Sequence, residues 1–308
     1  MNVGVRSCGS VDIAFIAGLY NKARHGSYEF VPFNVETLQK SIQEKKLRIL
    51  IAEIDGQIVG SAACRSSSRG EEIEWLLTAE GPDRRAMEDT LVEEIEKRAA
   101  SDTITASVDS ESMEIGEWVR RGYAPQGGMY QMIAGLDRPR PVPPALPGTT
   151  MCSLAPERVQ EFIEMVNEGF GRKRLEEDAV RRWKTELPSF SEDWIHVAQS
   201  EGKIVSAVVA KPDVKYNSQY RGRRGYLGPA ATLPEHRGKG FASVLTCRAM
   251  NFLLEKGMDS VSLHTSELNV PSLTLLKKIG FRAAHNWKFL RKNLSQTRSQ
   301  IVDTDSKM

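Results

Sequence analysis

The sequence predicts a mixed α/β protein made of two tandem copies of one plan, and three repeated features carry that reading. ILIAEIDGQIVGSAAC (49–64) and WIHVAQSEGKIVSAVVA (194–210) each alternate apolar and polar residues around an acid–Gly pair, the pattern of two strands joined by a tight hairpin. Upstream of each lies a segment with apolar residues at helical spacing, VDIAFIAGLYNKA in the first half and ERVQEFIEMVNEGF in the second. Downstream, each half runs through an apolar strand, a Pro-containing turn, a helix, a further strand and a second helix, ending in Gly122-Tyr123 or Gly280-Phe281. Alternation of strands and helices within each copy gives mixed α/β domains.

A chain of 308 residues exceeds what one core comfortably fills, so the duplication also satisfies the size constraint. The expected boundaries are a first domain over 1–136, a linker over 137–148, a second domain over 149–293 and a flexible tail over 294–308. The linker carries the prolines of GLDRPRPVPPALPG, which cannot donate ladder hydrogen bonds and hold a stiff extended form. The tail, SQTRSQIVDTDSKM after Leu294, has few apolar residues.

A net charge of +2 lacks the basic excess that nucleic acid or an anionic membrane selects, so neither is an expected partner. Cys8, Cys64, Cys152 and Cys247 stand far apart with no CxxC or Cys/His cluster, which argues against a metal site or a disulfide framework and for free thiols in a reducing compartment. No secretion signal or membrane-length apolar run is present, so a cytoplasmic location is expected.

Chemistry concentrates in LPEHRGKGFASVLTCRAM, where an apolar strand gives way to Arg237-Gly238-Lys239-Gly240 and then a helix. A helix N-terminus exposes unpaired N–H groups and partial positive charge, and glycine lets an anion approach the backbone. A strand, a glycine-rich turn and a helix therefore make a phosphate-binding device, although a basic connecting turn has the same composition. A P-loop is excluded because Lys239 is followed by Gly240 and no suitable glycine precedes it. A dinucleotide fingerprint fits only loosely, since Asp259 precedes the next strand rather than ending it.

Arg237-Gly238-Lys239-Gly240-Phe241-Ala242, followed one strand later by Asn269, Ser272, Leu275, Leu276 and Gly280-Phe281, resembles the signature of the GCN5-related N-acetyltransferase (GNAT) superfamily. The resemblance covers Thr149 to about Leu290 well and the first half in outline, and the overall plan is similar to tandem GNAT proteins such as mycothiol synthase. It implies two tandem domains, each a central twisted, mostly antiparallel sheet flanked by helices. It also implies an N-acetyltransferase that moves an acetyl group from acetyl-CoA to an amine of a small molecule or peptide by direct attack, with no metal. By that resemblance the amides from Gly238 to Ala242, with Arg237 and Lys239, hold the cofactor diphosphate. Ala231, Thr232 and Leu233 pair with the pantetheine arm, and Asn269 and Ser272 touch the cofactor. The Leu233 N–H is the expected oxyanion donor.

Leu276 stands where family members often carry a tyrosine that protonates the leaving thiolate. Tyr226 is the substitute candidate, with core packing as its alternative, and His264 and Glu267 are candidate bases, with a structural role as theirs. In the first copy, aligning Pro82 with Pro234 sets Ala86 against Gly238 and Glu88 against Gly240, which adds a Cβ and an anion where a diphosphate would sit. That copy is expected to be silent. A non-catalytic acyl-CoA-binding regulatory or assembly protein is the rival reading, and the acceptor and the oligomeric state stay open.

Overall fold

A computed structural model describes residues 3–67 and 70–295. The chain divides into two compact units, one comprising the residues up to Met129 together with those from Asn286 onward, the other Tyr130–His285.

The first unit runs β1 (Gly4–Ser7), α1 (Ile13–Arg24), α2 (Val35–Lys45), β2 (Arg48–Ile54), β3 (Gln57–Ser67), β4 (Gly70–Thr78), α3 (Arg84–Arg98), β5 (Thr103–Asp109), α4 (Glu114–Arg120) and the start of β6 (Ala124–Gly135). The second unit begins within β6. It continues through β7 (Thr149–Ser153), α5 (Val159–Phe170), α6 (Ala179–Glu186), β8 (Ile195–Ser200), β9 (Lys203–Pro212), α7 (Val214–Tyr220), β10 (Arg224–Thr232), α8 (Phe241–Glu255), β11 (Ser260–Ser266), α9 (Val270–Lys278) and the start of β12 (Arg282–Asn293).

Both expected hairpins are present. Asp55 and Gly56 turn β2 into β3, and Glu201 and Gly202 turn β8 into β9, with all four residues at positive φ. Two consecutive left-handed residues match the twist of the flanking strands, and in each pair glycine takes the second position without steric cost.

The second unit orders its strands β7-β8-β9-β10-β11-β6. β7, β8, β9 and β10 pair antiparallel, and β10 pairs with β11 in parallel. That parallel ladder is brief: Arg224 faces Ser260, Gly225 faces Val261, Tyr226 faces Ser262, and there it stops. The first unit repeats the device, β4 lying parallel to β5 only from Glu71 to Ile73. Its remaining neighbours pair antiparallel, in the order β1-β2-β3-β4-β5.

The strand that closes the first unit's sheet comes from the end of the chain. Residues 287–293 of β12 pair antiparallel with β5, Trp287 opposite Asp109 and Asn293 opposite Thr103. Leu290 and Leu294 join Leu91, Ile95, Ile104 and Tyr123 in that unit's core. A leucine fully buried there contributes ~1.5–3 kcal/mol. Residues read from the sequence as the end of the second copy, and Leu294 at the head of the expected tail, therefore pack with the first copy. Of that tail, 296–308 lie outside the described residues. The proline-rich stretch 137–148 has neither helix nor strand, and Asn251 of α8 holds it by a reciprocal pair, Arg140 N–H to Asn251 Oδ1 at 2.6 Å and Asn251 Nδ2 to the Arg140 carbonyl at 3.0 Å.

The second unit's core buries Phe162, Val166, Ile195, Val208, Leu245, Met250 and Val261 between the sheet and the helices α5 and α8. A histidine is buried alongside them. His196 on β8 is 3% exposed, its ring lies edge-on to Phe252 at 5.1 Å, and neither ring nitrogen has a hydrogen-bond partner among the described residues. Burial, with a contribution from nearby Arg248, lowers its pKa from 6.5 to about 4. A base whose folded value is depressed is protonated first in the unfolded chain. The stability it contributes is therefore full above about pH 6.5 and is lost as pH falls toward about 4, a change of ~3 kcal/mol. Urea unfolding followed by tryptophan fluorescence should show the midpoint falling across that window in the wild type. A His196→Leu variant should lose that portion of the slope, and an unchanged slope would show that the buried imidazole is not its source.

Candidate active site

The site is built where β10 leaves β11. Beyond Tyr226 the strand keeps its antiparallel partner β9, with an irregular step between Leu227 and Ala230, while its other edge pairs with no strand among the described residues. Opposite β9, Leu233 donates its N–H to the Val205 carbonyl at 3.0 Å. Alternation along a strand then turns the main-chain groups of Leu233 and Ala231 toward β9, and those of Thr232 and Ala230 toward the open edge. Of the three residues expected to face a pantetheine arm, Thr232 alone offers its backbone there. The Leu233 N–H, the expected oxyanion donor, is already engaged in the ladder. Sequence position did not reveal this because the irregular step fixes which residues face outward.

The turn after β10 is preserved in detail. Gly238 (φ 75°) and Gly240 (φ 86°) both adopt the left-handed conformation, and a Cβ at either would meet nothing within 4 Å. The glycines are therefore needed for backbone conformation, and the space before them is open. Gly240 caps α8 without a side-chain hydrogen bond, and the first turn of the helix holds no acidic residue. The amides of Ser243 and Val244 bond back to the Gly240 carbonyl, whereas those of Gly238, Lys239, Gly240, Phe241 and Ala242 have no partner among the described residues. Five unpaired N–H groups around a helix N-terminus suit a dianionic group such as a diphosphate. Phe241 packs its side chain into the core, so it brings only its amide to the turn.

The two cations of the turn behave differently. Arg237 folds back, its Nη2 donating to the Gly169 carbonyl at 2.7 Å and its Nε to the Thr232 carbonyl at 3.3 Å, which ties the turn to the end of α5. That approach needs a glycine on α5, because a Cβ at Gly169 would sit 3.1 Å from the Ala231 Cβ and 3.3 Å from the Thr232 carbonyl. Lys239 is exposed and forms no ion pair among the described residues, so it is the cation left for a ligand.

Asn269 and Ser272 stand together at the start of α9, where the Asn269 Oδ1 accepts the Ser272 N–H at 3.2 Å and Thr265 donates its hydroxyl to the Ser272 Oγ at 3.2 Å. They form a helix cap, and Leu276 further along is 4% exposed in the core, so that helix offers no hydroxyl where family members often place one. Tyr226 and His264 do come together: the phenol oxygen lies 3.3 Å from the His264 Nδ1. Burial pushes the Tyr226 phenol above its ordinary value. Glu267 lies one residue beyond β11, partly exposed. Of the arginines in RGRRG, Arg224 is buried in a structural pair with Asp213 (2.8 Å) and Arg223 pairs with Asp259 at the surface.

Sequence reasoning missed Lys211. It stands on β9 directly opposite Tyr226, its Nζ 5.7 Å from the Tyr226 ring centre and 5.5 Å from that of Trp183 on α6. Burial lowers its pKa. A lysine ending an apolar strand gives no signal until the register sets it beside Tyr226.

The corresponding turn of the first unit is absent rather than altered. Five residues (79–83) join β4 to α3, where eight (233–240) join β10 to α8, and Ala86 and Glu88 lie inside the helix. Glu88 accepts from Arg84 at 2.7 Å and from Arg121 at 2.9 Å, and Asp89 accepts from Arg121 at 2.7 Å. The contrast with Gly240 expected from the alignment thus becomes a difference of loop length. The first unit also packs Tyr20 of α1 against Phe33 (4.8 Å) and Trp75 of β4 (5.8 Å).

Comparison with known proteins agrees with this geometry. Residues 159–281 match the model of the Acetyltransferase (GNAT) family. That match falls within the second unit. Over 102 residues the chain is 30% identical to N-alpha-acetyltransferase 30 of Schizosaccharomyces pombe, covering 33% of this chain and 61% of that protein. It is 31% identical over 85 residues to N-alpha-acetyltransferase MAK3 of Arabidopsis thaliana, covering 28% of this chain and 43% of that one. The chain thus spans less than two thirds of the length of these relatives. Among solved structures, a GCN5-related N-acetyltransferase from Sphaerobacter thermophilus superposes with a TM-score of 0.68 at 16% identity, over 95% of this chain and 96% of that one. A tandem GNAT protein from the clavulanic acid biosynthesis pathway does so at 0.66 and 15%, over 95% and 99%. Those likenesses establish the tandem GNAT fold for both copies. Among the described residues no group of His, Cys, Asp or Glu is arranged to hold a metal ion, and no helix is long and apolar enough to cross a membrane.

Arg121, with a side chain 6% exposed, links Glu88 and Asp89 in the first unit. Arg121→Ala removes the buried guanidinium that joins the two acids, although Glu88 keeps Arg84 and Asp89 keeps Arg120, and should lower stability by ~2 kcal/mol, read as a shift of the urea midpoint. A shift below ~0.5 kcal/mol would mean that solvent replaces the arginine.

Proposed function

We propose that the second unit is an acetyl-CoA-dependent N-acetyltransferase acting in the cytoplasm on an amine of a small molecule or peptide. The observation that carries the reading is the set of five unpartnered amides from Gly238 to Ala242 at the start of α8, a helix whose first turn holds no acidic side chain. The GNAT-family match over 159–281 and the N-acetyltransferase relatives support it.

Bound acetyl-CoA would supply the activated acyl group. The turn amides and Lys239 would hold its diphosphate, and the open edge of β10 at Thr232 and Ala230 would align its arm, with Asn269 and Ser272 beside it. The N–H groups on that edge are the candidate oxyanion donors in place of Leu233. Transfer joins the amine nitrogen to the acyl carbon as the carbon–sulfur bond breaks, so one proton must leave the amine and one must reach the thiolate. Tyr226, whose phenol burial keeps protonated through the neutral range, is the candidate donor, and His264, 3.3 Å from it, the candidate relay or base; Glu267 is a further candidate base.

Calorimetry with acetyl-CoA, paired with free-thiol detection across an amine panel, tests the reading. The wild type should bind acetyl-CoA and release thiol only with an acceptor, and Gly240→Glu should weaken binding at least about 100-fold by placing a carboxylate in the turn. Binding without acceptor-dependent thiol release would favour the non-catalytic acyl-CoA-binding reading, and equal binding by the variant would move the cofactor elsewhere. Tyr226→Phe should lower kcat about 100-fold while leaving acetyl-CoA affinity unchanged.

A further inference from the structure

On the face of the second unit's sheet turned away from α8, side chains from β9, β10 and β11 stand in two layers. The orientation is set at Gly225, where a Cβ would strike Leu253 of α8 at 2.6 Å, so the neighbouring Tyr226 projects from the opposite face. The inner layer holds Asp213, Arg224 and Ser262, and it is closed. Arg224 donates to Asp213 at 2.8 Å and 3.0 Å and stacks on Tyr216 at 3.5 Å, and the Ser262 hydroxyl approaches Asp213 at 3.4 Å. Its charges cancel within the layer.

The outer layer, next to the place where β10 and β11 part, holds Lys211, Tyr226 and His264. It is not closed. Lys211 is partly buried close to the rings of Trp183 and Tyr226, yet no carboxylate pairs with it among the described residues. The carboxylates that act on it are Glu186, exposed at the end of α6, and Asp213, already committed to Arg224. Arg174 adds a second positive charge toward both Lys211 and Tyr226, and among the described residues it too has no ion pair, its guanidinium lying 5.7 Å from the Phe170 ring centre. Removing an ammonium from water without a counter-ion is costly, and a second positive charge acting on it adds repulsion. An anion supplied from outside relieves both.

We infer that Lys211, assisted by Arg174, binds a carboxylate of the acceptor, so that the preferred substrate is a small amine that also carries an acid group, as an amino acid does. The inference rests on the acetyltransferase reading of the same unit and narrows it. The Trp183 and Tyr226 rings both lie near the ammonium, and water kept from those apolar faces strengthens the ion pair.

The experiment uses the full chain, acetyl-CoA and matched acceptors, each amino acid beside its carboxamide. The acids should be preferred at least about tenfold in kcat/KM, the range expected of one charge-assisted bond. Lys211→Met should lower kcat/KM for the acids by about 10–100-fold and leave the amides within about twofold, with Lys211→Arg restoring most of the preference and Arg174→Gln, at an exposed position, losing a smaller part of it. Equal use of acids and amides by the wild type, or an equal loss on both in Lys211→Met, overturns the inference and leaves the acetyltransferase reading standing. Failure of every amine to release thiol counts against that reading instead. The carboxylate site is then decided without turnover, by calorimetry with an N-acetyl amino acid and its amide: selective binding of the acid, lost in Lys211→Met, supports it, and no difference refutes it.

Discussion

The parting of β10 from β11 is the constraint on which the rest of the second unit depends. Three parallel pairs hold the strands together, after which β10 keeps β9 on one side and, among the described residues, no strand on the other. A strand edge left unpaired inside a sheet is costly unless a ligand completes it, and for that reason such edges recur as recognition surfaces. The irregular step between Leu227 and Ala230 decides which amides face outward. The same divergence brings Tyr226 and His264 to the mouth of the gap and leaves Lys211 beside them, while the layer below neutralises its own charges.

The two copies show how little separates a binding turn from a plain connection. Both keep the brief parallel ladder and a long helix after it. The first copy shortens the intervening loop and lets the helix begin before Ala86, so Glu88 serves its neighbours Arg84 and Arg121. A helix with arginine-paired acids near its start is well satisfied, and a site there would require rebuilding the loop, since a change of side chain alone leaves the helix in place. The bare start of α8 is the less stable arrangement in isolation, and it keeps five donors available.

Much of this was legible in the sequence because it is local. The hairpins follow from Asp55-Gly56 and Glu201-Gly202, the amphipathic helices from their periodicity, and the turn from two glycines with positive φ. What escaped depends on pairing between distant segments. The direction of the Leu233 N–H follows from its register with Val205, the importance of Lys211 from its register with Tyr226, and the folding back of Arg237 from a close approach to Gly169. Sequence pattern says which face of a strand is apolar; it does not say which edge a given amide presents. The alignment through Pro82 failed for a related reason, since a shortened loop shifts the start of the helix without altering its pattern.

The route of β12 has a consequence for how the protein comes into being. The first unit's sheet is finished by residues 287–293, which leave the ribosome after the whole of the second unit has been made. Until then β5 has an unpaired edge and the pocket that receives Leu290 and Leu294 is empty of them, so the half synthesised first is the half that matures last. A fragment cut at the proline-rich stretch would remain in that immature condition, and the two copies, though repeated in sequence, are not separable as halves of the gene.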